Sequence, residues 1–223
     1  MAVASTYAFS DNFNDNVLDG WTAKAGTWSI SGGELKASGT PYSVLWKDGS
    51  NQASLYQSIT VDAYFDLTNT DSSYAHLRLR SSENLSGVQH FWDTGYLAQF
   101  SGTGITILDT YLGSNPTIGS YTFSTSPFAQ AGWHTLRFDV SGYGSNTNLQ
   151  AWLDNVQYID TNYDDADNSN DNGYIALGRL IKYDNARGFS SDQPVPEPAT
   201  MFLLGFGLLG LAGVSRKTIT RNS

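Results

Sequence analysis

The most constraining feature of this 223-residue chain is the spacing of its apolar residues. Between residues 5 and 189 apolar and polar residues alternate in short stretches, and turn residues interrupt them every 8 to 15 positions. No useful length of this segment has the period of about 3.6 residues that marks an amphipathic helix. Because a period of two places successive side chains on opposite faces of a strand, the pattern predicts an all-β domain.

The alternation is clearest in two segments. In residues 74–80, one face receives Ala75, Leu77 and Leu79, and the other receives Tyr74, His76, Arg78 and Arg80. In residues 133–140, one face receives His134, Leu136, Phe138 and Val140, and the other receives Trp133, Thr135, Arg137 and Asp139. Asp154-Asn155 separates two further strands and tolerates the positive φ of a tight hairpin turn.

The predicted strands are 7–13, 26–30, 33–38, 42–46, 54–65, 73–81, 94–100, 104–112, 133–140, 147–153, 156–160, 173–179 and 182–189. Antiparallel strands that each bury one face fit a two-sheet β-sandwich of the jelly-roll type. We therefore predict one such domain over residues 5–189.

Composition excludes several classes of function. The chain has 21 acidic and 12 basic residues and a net charge of -9, with no segment rich in Lys or Arg. A nucleic acid is therefore not expected as a partner, because its phosphates require clustered positive charge. Divalent cations and neutral polymers fit this charge better. The chain has no cysteine, so it forms no disulfide and performs no thiol chemistry.

The composition changes at Ser190. Residues 190–198 form a Pro-rich linker, and residues 199–214 form an uncharged run of 16 residues within a final segment, 199–223, that ends in basic residues. This run is close to the minimum of about 17 residues for a membrane-spanning helix. Acids before the run and bases after it predict a single short transmembrane helix with a cytoplasmic C-terminus and an external β domain.

The tail resembles a PEP-CTERM sorting signal in the order of its parts: Pro196, Glu197 and Pro198, then the apolar run, then Arg216 and Lys217. This resemblance implies recognition by an exosortase, an integral membrane peptidase of Gram-negative bacteria. It also implies export, anchoring in the inner membrane through the C-terminal helix, and a place at the cell surface or outside the cell after processing. Ala2-Val3-Ala4 looks like the remnant of a signal-peptide cleavage site, so we expect the chain to begin near its mature N-terminus.

The domain itself resembles concanavalin A-like lectin and glucanase jelly rolls, which include LamG-like domains. Residues 11–39, DNFNDNVLDGWTAKAGTWSISGGELKASG, are similar to the opening of these domains, and residues 181–189, IKYDNARGF, are similar to their final strand. Between them, GWHTLRFDV, LQAWLDNVQY and NGYIALGR occur in the order of the family's last strands. The resemblance covers residues 7–189 and implies the same fold.

A structural calcium ion is the cofactor that this resemblance implies. In the superfamily a last-strand aspartate, here Asp184, often binds calcium together with first-strand carbonyl oxygens, here at Asp11 and Asn12. The alternative is that Asp184 caps a turn or pairs with Arg187. Residues 160–175 match a calcium-binding EF-hand loop only in part, because Arg179 stands where a glutamate is required, so a solvated loop is the better interpretation.

No catalytic residue is predicted. The related glucanases use a Glu-x-Asp-x-x-Glu strand motif, which this chain lacks, and Glu34 and Glu83 stand in separate turn-rich contexts. His76, His90 and His134 are scattered and form no metal-ligand pair. A catalytic pair made of aspartates remains open.

Sugar binding requires aromatic rings that stack on pyranose C–H groups and planar hydrogen-bonding groups around them. The candidate site combines the polar row of residues 74–80 with nearby aromatics; its residues are His76, Arg78, Arg80, Trp92 and Tyr96. The alternative is that Trp92 and Tyr96 belong to the core and the polar row is an ordinary solvated face. Four other tryptophans are predicted for the core: Trp21, Trp28, Trp133 and Trp152.

We therefore predict an exported, non-catalytic protein that binds carbohydrate or associates with an extracellular matrix, with a polysaccharide or exopolysaccharide as its partner. Two alternatives stay open. The first is a glycoside hydrolase or polysaccharide lyase of the same fold, and the second is a structural surface protein without a small ligand.

Overall fold

The computed structural model describes residues 6–39, 43–51, 54–66, 74–82, 94–110, 115–165 and 173–191. These residues lie within one compact unit, residues 1–193. In chain order, the described strands are β1 (Thr6–Asp11), β2 (Trp21–Ala25), β3 (Thr27–Ser31), β4 (Glu34–Ser38), β5 (Val44–Lys47), β6 (Tyr56–Phe65), β7 (Tyr74–Ser82), β8 (Thr94–Ser101), β9 (Gly104–Asp109), β10 (Thr117–Thr122), β11 (Gly132–Ser141), β12 (Thr147–Leu153), β13 (Val156–Tyr163), β14 (Tyr174–Gly178) and β15 (Lys182–Ser191).

The strands form two antiparallel sheets, which confirms the predicted sandwich. Sheet A has the order β13-β12-β11-β6-β15-β4-β3, and β1 also pairs with β15. Sheet B has the order β10-β9-β8-β7-β14-β5-β2. Each sheet turns one face, the core face, towards the other sheet, and the opposite face is called its outer face.

The core forms because alternate residues of both sheets are apolar. Leu136, Phe138 and Val140 of β11 and Leu77 and Leu79 of β7 are completely buried in one cluster. Each such side chain contributes about 1.5–3 kcal/mol when it leaves water. This confirms the faces assigned to β11 and the apolar face assigned to β7.

The hairpin between β12 and β13 also follows the prediction. Asp154 and Asn155 have φ values of 50° and 65°, the left-handed conformation that a two-residue hairpin turn requires. The Asp154 carboxylate accepts hydrogen bonds from the Thr135 backbone N–H and from the His134 ring, so the turn is tied to the neighbouring strand.

Two of the four tryptophans predicted for the core lie outside it. Trp21 and Trp28 are buried, as predicted. Trp133 is 41% exposed, and Trp152 is half-buried on the outer face of sheet A, opposite Arg137. The alternation of β11 places Trp133 and Arg137 on the polar face. The position of a tryptophan along its strand, and not the apolar character of its indole ring, therefore decides which face of the sheet it occupies.

Sequence analysis did not predict strands β2 and β10. Both are edge strands of sheet B, and neither buries every second residue: the residues of β10 are all half-buried or exposed. An edge strand without a buried face has little apolar periodicity, which is why its sequence reads as a turn-rich connection.

Arg80 does not lie on the face predicted for it. Its φ is +52°, and the pairing of β7 with β8 shifts between Leu79 and Ser82. A bulge of this kind adds a residue to one strand and redirects the side chains that follow. The Arg80 side chain is therefore buried at one end of the sandwich, away from the outer face that carries His76 and Arg78.

The Arg80 guanidinium joins the two sheets at this end. Its Nη2 donates to the backbone oxygens of Ser54 (3.0 Å), Leu55 (3.4 Å) and Gly142 (2.7 Å). Its guanidinium carbon lies 4.9 Å from the centre of the Tyr143 ring. The Gln57 side chain accepts a hydrogen bond from the Arg80 backbone N–H at 2.8 Å. Arg80 thus has a structural role that the sequence did not indicate.

Replacing Arg80 with alanine is expected to lower the free energy of unfolding by about 2–4 kcal/mol, because buried carbonyl oxygens lose their donor. Urea denaturation measures the loss. Arg187→Ala is the matched control, since this arginine is exposed, and it should change stability by no more than about 0.5 kcal/mol. Equal stability of the two variants would contradict the role assigned to Arg80.

Candidate functional site

The outer face of sheet B carries two parallel rows of side chains that the strand register defines. One row runs from the edge strand β2 to β9 and consists of Thr22, Trp46, Ala176, Arg78, Leu97 and Leu108. The second row consists of Val44, Gly178, His76, Gln99 and Thr106. Neither of these described rows contains Asp or Glu. The face offers imidazole, amide, guanidinium and aromatic groups.

His76 lies at the centre of this face. Its Nε2 is 3.1 Å from the Gln99 amide oxygen and 3.2 Å from Arg179 Nε. One ring nitrogen cannot donate to Gln99 and accept from Arg179 at once, so each tautomer of the ring forms only one of these two hydrogen bonds. The polar groups around His76 are therefore able to exchange hydrogen-bond partners.

The imidazole of His76 is neutral at neutral pH. Burial holds its pKa well below the usual range, and the positive charges of Arg179 and Arg78 lower the pKa further. The hydrogen bond with Gln99 acts in the opposite direction but is the smallest of these influences. A neutral imidazole offers one donor and one acceptor nitrogen, which suits hydroxyl groups.

Arg179 reaches this face from a strained turn. Its φ is +80°, it directly follows Gly178 at the end of β14, and its backbone N–H donates to Ser43 O at 3.0 Å. Its guanidinium carbon lies 5.4 Å from the centre of the Tyr74 ring, and Tyr74 is 40% exposed. Left-handed backbone at a residue other than glycine is costly and concentrates at functional sites.

A stacked aromatic pair flanks the other side of the face. The rings of Trp46 and Tyr174 lie 4.3 Å apart at an angle of 16°, and Lys24 Nζ lies 4.3 Å from the Trp46 ring. Trp46 is buried, whereas Tyr174 is half-buried. The exposed edge of this pair adds an aromatic surface to the polar cluster.

A residue of the core fixes the position of His76 from behind. The Tyr183 hydroxyl, which belongs to sheet A, donates to Gly178 O at 2.5 Å and accepts from the His76 backbone N–H at 3.3 Å. Burial raises the pKa of this phenol, so it stays protonated and donates. Tyr183 thereby ties β7 and β14 together directly beneath the polar cluster.

The structure brings together only part of the predicted ligand-binding set. His76 and Arg78 share the outer face of sheet B, but both are buried, Arg78 with 2% exposure. Arg80 and Tyr96 lie on the core side, where the Tyr96 hydroxyl donates to Asp165 at 2.7 Å. For Tyr96 the core alternative is therefore the correct one. Trp92 lies outside the described residues.

Sequence analysis missed Arg179, Gln99 and Tyr174. Gln99 is the polar residue that interrupts an otherwise buried strand, β8, and this signal was available in the sequence. Arg179 gave no signal beyond its place after a glycine, because its approach to His76 depends on the pairing of β14 with β7.

The three residues predicted to bind calcium lie at the end of the first strand and in the last strand of the domain, which pair with each other so that Asp11 lies opposite Ala186, two residues from Asp184. Asp11 accepts hydrogen bonds from the Phe13 backbone N–H and from Trp21 Nε1, and Asn12 accepts one from the Asn14 backbone N–H. The Asp184 carboxylate accepts from the Asn185 backbone N–H at 2.6 Å. Within the described residues, no three acidic, histidine or cysteine side chains are arranged to hold a metal ion.

The Asp184 carboxyl group is nevertheless in an unfavourable environment for its charge. Partial burial raises its pKa, against the effect of the Asn185 N–H. The carboxylates of Asp62, Glu34 and Asp11 add to the rise. Calcium binding at Asp184 stays a prediction.

Comparison with known proteins identifies the tail. Residues 194–217 match the PEP-CTERM protein-sorting motif. The chain carries a PEP-CTERM sorting signal. This confirms the sequence prediction, and Pro196, Glu197, Pro198, Arg216 and Lys217 all fall inside the match. The signal indicates export and membrane anchoring through the C-terminal region.

The PEP-CTERM segment itself lies outside the described residues, so the predicted transmembrane helix is not described. No helix among the described residues has the length and apolar character needed to cross a membrane.

The domain is similar in fold to several solved structures. The carbohydrate-binding module CBM66 from Bacillus subtilis has a TM-score of 0.52 and 16% identity, over 77% of this chain and 92% of that chain. The carbohydrate recognition domain of Emp46p has a TM-score of 0.56 and 13% identity, over 83% and 93%. Alginate lyase Aly36B has a TM-score of 0.52 and 14% identity, over 81% and 96%. A search of curated proteins finds no match. These similarities concern the fold, a two-sheet antiparallel β-sandwich.

The variant Asp184→Asn tests both the predicted calcium binding and the effect of the Asp184 charge on stability. Because the pKa of Asp184 is raised in the folded state, its ionised form is penalised at neutral pH, and the penalty disappears as the pH falls below the pKa of the unfolded chain. With chelator at neutral pH, the variant should therefore melt slightly above the wild type.

Added calcium should raise the melting temperature of the wild type, because an ion that binds only the folded state stabilises it, and it should leave Asp184→Asn unchanged. Differential scanning calorimetry provides both measurements. A wild-type melting temperature that is the same with calcium and with chelator would exclude the predicted ion.

Proposed function

We propose that this PEP-CTERM protein is an exported, non-catalytic polysaccharide-binding protein whose binding site is the outer face of sheet B. The observation that carries the proposal is the cluster of His76, Gln99 and Arg179 beside the exposed ring of Tyr74. These groups provide neutral and charged hydrogen-bonding partners within reach of an aromatic face.

The physical chemistry of sugar recognition supports this site. A pyranose ring presents C–H groups to an aromatic surface and hydroxyl groups around its rim, and Tyr74 and the planar groups of Gln99 and Arg179 match both features. Of the residues predicted from the sequence, His76 and Arg78 remain in the proposed site. Two neighbours in fold are a carbohydrate-binding module and a carbohydrate recognition domain, which agrees with this proposal.

The second candidate is a polysaccharide lyase at the same face. A specific observation favours it: a neutral imidazole, able to accept a proton, lies between a guanidinium and an amide. In β-elimination from a uronate, a base removes the proton at C5, the C4–O bond breaks, and a general acid protonates the leaving oxygen. Arg179 and Gln99 would hold the uronate carboxyl group. The neutral imidazole of His76 would take the C5 proton, and the Tyr74 hydroxyl would protonate the leaving oxygen as the C4–C5 double bond forms. One of the neighbours in fold is an alginate lyase.

Tyr74→Ala is expected to weaken retention on immobilised polysaccharide about tenfold, which corresponds to about 1.4 kcal/mol, because the stacking surface is lost. Tyr74→Phe should retain most of the binding. Tyr121→Ala is the matched control, since Tyr121 is similarly exposed at 42% but lies on the edge strand β10. Affinity electrophoresis against a panel of polysaccharides measures retention.

The same panel of polysaccharides distinguishes the non-catalytic binding protein from the polysaccharide lyase. Retention without new chain ends supports the binding protein. Accumulation of unsaturated uronate products in the wild type, abolished by His76→Gln, would overturn the non-catalytic proposal in favour of the lyase. If no polysaccharide is retained and none is cleaved, the proposal fails and a structural surface role is the remaining interpretation.

We further propose that an exosortase recognises the tail and that the apolar run anchors the protein in the inner membrane with the β domain outside. Removal of residues 195–223 should then leave the domain folded but release it into the medium. Replacing only Pro196, Glu197 and Pro198 with alanine should leave the protein membrane-bound and unprocessed, because the apolar run remains.

Fractionation of a Gram-negative host that contains an exosortase, followed by immunoblotting, measures both outcomes. Identical partitioning of the full-length and truncated proteins between membrane and medium would contradict the sorting proposal.

A further inference from the structure

The outer face of sheet A has a groove that the proposed function does not use. Its volume is about 350 Å³, and it is lined by Thr60, Thr135, Arg137, Trp152, Asn155 and Arg187. The strand register explains this set, because Trp152, Arg137, Thr60 and Arg187 lie opposite one another across four adjacent strands. The groove belongs to the face opposite the core, on the other sheet from His76.

Arg137 forms one fixed side of the groove. Its Nε and Nη2 donate to the two carboxylate oxygens of Asp139 at 3.0 Å and 2.5 Å, and its guanidinium lies 4.4 Å from the Trp152 ring centre. The Tyr56 hydroxyl donates to the same carboxylate at 2.7 Å. The charge of Arg137 is thus balanced by Asp139, and its position is held by three neighbours.

Arg187 is the other arginine of the groove and has a different environment. It is exposed, between Ser10 of β1 and Thr60 of β6. In the described part of the chain, its guanidinium has no hydrogen bond, ion pair or ring contact. The groove therefore carries one positive charge that no described residue balances, in a chain whose net charge is -9.

The remaining lining groups are polar and short. The Thr135 hydroxyl donates to Asp62 at 2.7 Å, which leaves its oxygen lone pairs available as acceptors. Thr60 and the Asn155 amide provide further donors and acceptors. A volume of about 350 Å³ lies within the roughly 300–1,000 Å³ of small-molecule sites, which is more than a single inorganic anion requires.

We propose that this groove binds the carboxylate-bearing residues of an acidic polysaccharide, with Arg187 pairing with the uronate carboxylate and Thr60, Thr135 and Asn155 contacting ring hydroxyls. The planar fork of a guanidinium matches a carboxylate in a bidentate arrangement. The net negative charge of the chain repels acidic polymers at long range. Selectivity for the anionic sugar must therefore come from Arg187 itself.

The proposed site is independent of the proposed function, because it lies on the other sheet and shares no residue with the cluster around His76. Its occupation would give the domain two separate glycan contacts, one on each outer face.

The test uses a galacturonate trisaccharide and its methyl ester, which has the same rings without the charge. Binding is followed through the NMR signals of the Trp152 indole N–H and the Asn155 side-chain amide, which report on this groove and not on sheet B. For the wild type, the acidic trisaccharide should shift both signals, and the ester should bind at least tenfold more weakly.

Arg187→Gln should weaken binding of the acidic trisaccharide at least tenfold. Lys36→Gln is the matched control, since it removes one exposed positive charge from β4 of the same sheet, and its affinity should stay within about twofold of the wild type. Tyr74→Ala should leave the groove signals unchanged, so failure at sheet B and failure here are distinguishable. Equal binding of acid and ester, or equal affinity of the Arg187 and Lys36 variants, would overturn the proposal.

Discussion

The arrangement of both faces depends on the way that Arg80 interrupts strand β7. Up to Leu79 the strand alternates regularly, with apolar side chains in the core and His76 and Arg78 on the outer face. At Arg80 the bulge turns a cation inward, where backbone oxygens next to the ends of β6 and β11 of sheet A accept its hydrogen bonds. Because a buried charge is tolerated only when it is satisfied, these oxygens must keep their positions, and the two sheets are aligned at this end.

A second polar contact crosses the core at the opposite end of the same strand. The Tyr183 hydroxyl reaches from sheet A to His76 and Gly178 of sheet B. Dispersion and hydrophobic burial hold the sheets together, but they are not directional. The directional contacts at Arg80 and Tyr183 determine how β7 lies over sheet A. They therefore also fix the position of the cluster around His76, which β7 carries.

Sequence reasoning predicted what depends on local periodicity. The core face of β11 and the turn at Asp154-Asn155 follow directly from alternation and from the backbone freedom of Asn and Asp. It failed at Arg80, where an inserted residue shifts the alternation of side chains between the two faces of the strand. A bulge in the middle of an alternating strand does not change its composition, so the sequence does not reveal it. It also failed at Trp152, where apolar character was given more weight than position.

The candidate sites were only partly predictable for a related reason. His76 and Arg78 were found because they are neighbours along one strand. Arg179 and Arg187 acquire their roles from strands that are distant in sequence, β7 and β6 respectively, and pairing of this kind is not encoded in any local pattern. The two outer faces consequently differ: one surrounds a neutral imidazole with amide and guanidinium groups, and the other places Arg187, whose charge no described residue balances, among hydroxyl and amide groups.

The position of the last strand has a mechanical consequence. β15 lies between β6 and two other strands, with Thr6 opposite Ser191, and the sorting signal follows it in the chain. In a protein held at a membrane through its C-terminal region, a pulling force on that region enters the domain through β15, the last described strand before it in the chain. Antiparallel hydrogen bonds are perpendicular to the strand, so such a pull shears them together instead of opening them one at a time. The pairing of β15 with strands on both of its sides therefore resists a force that acts along the strand.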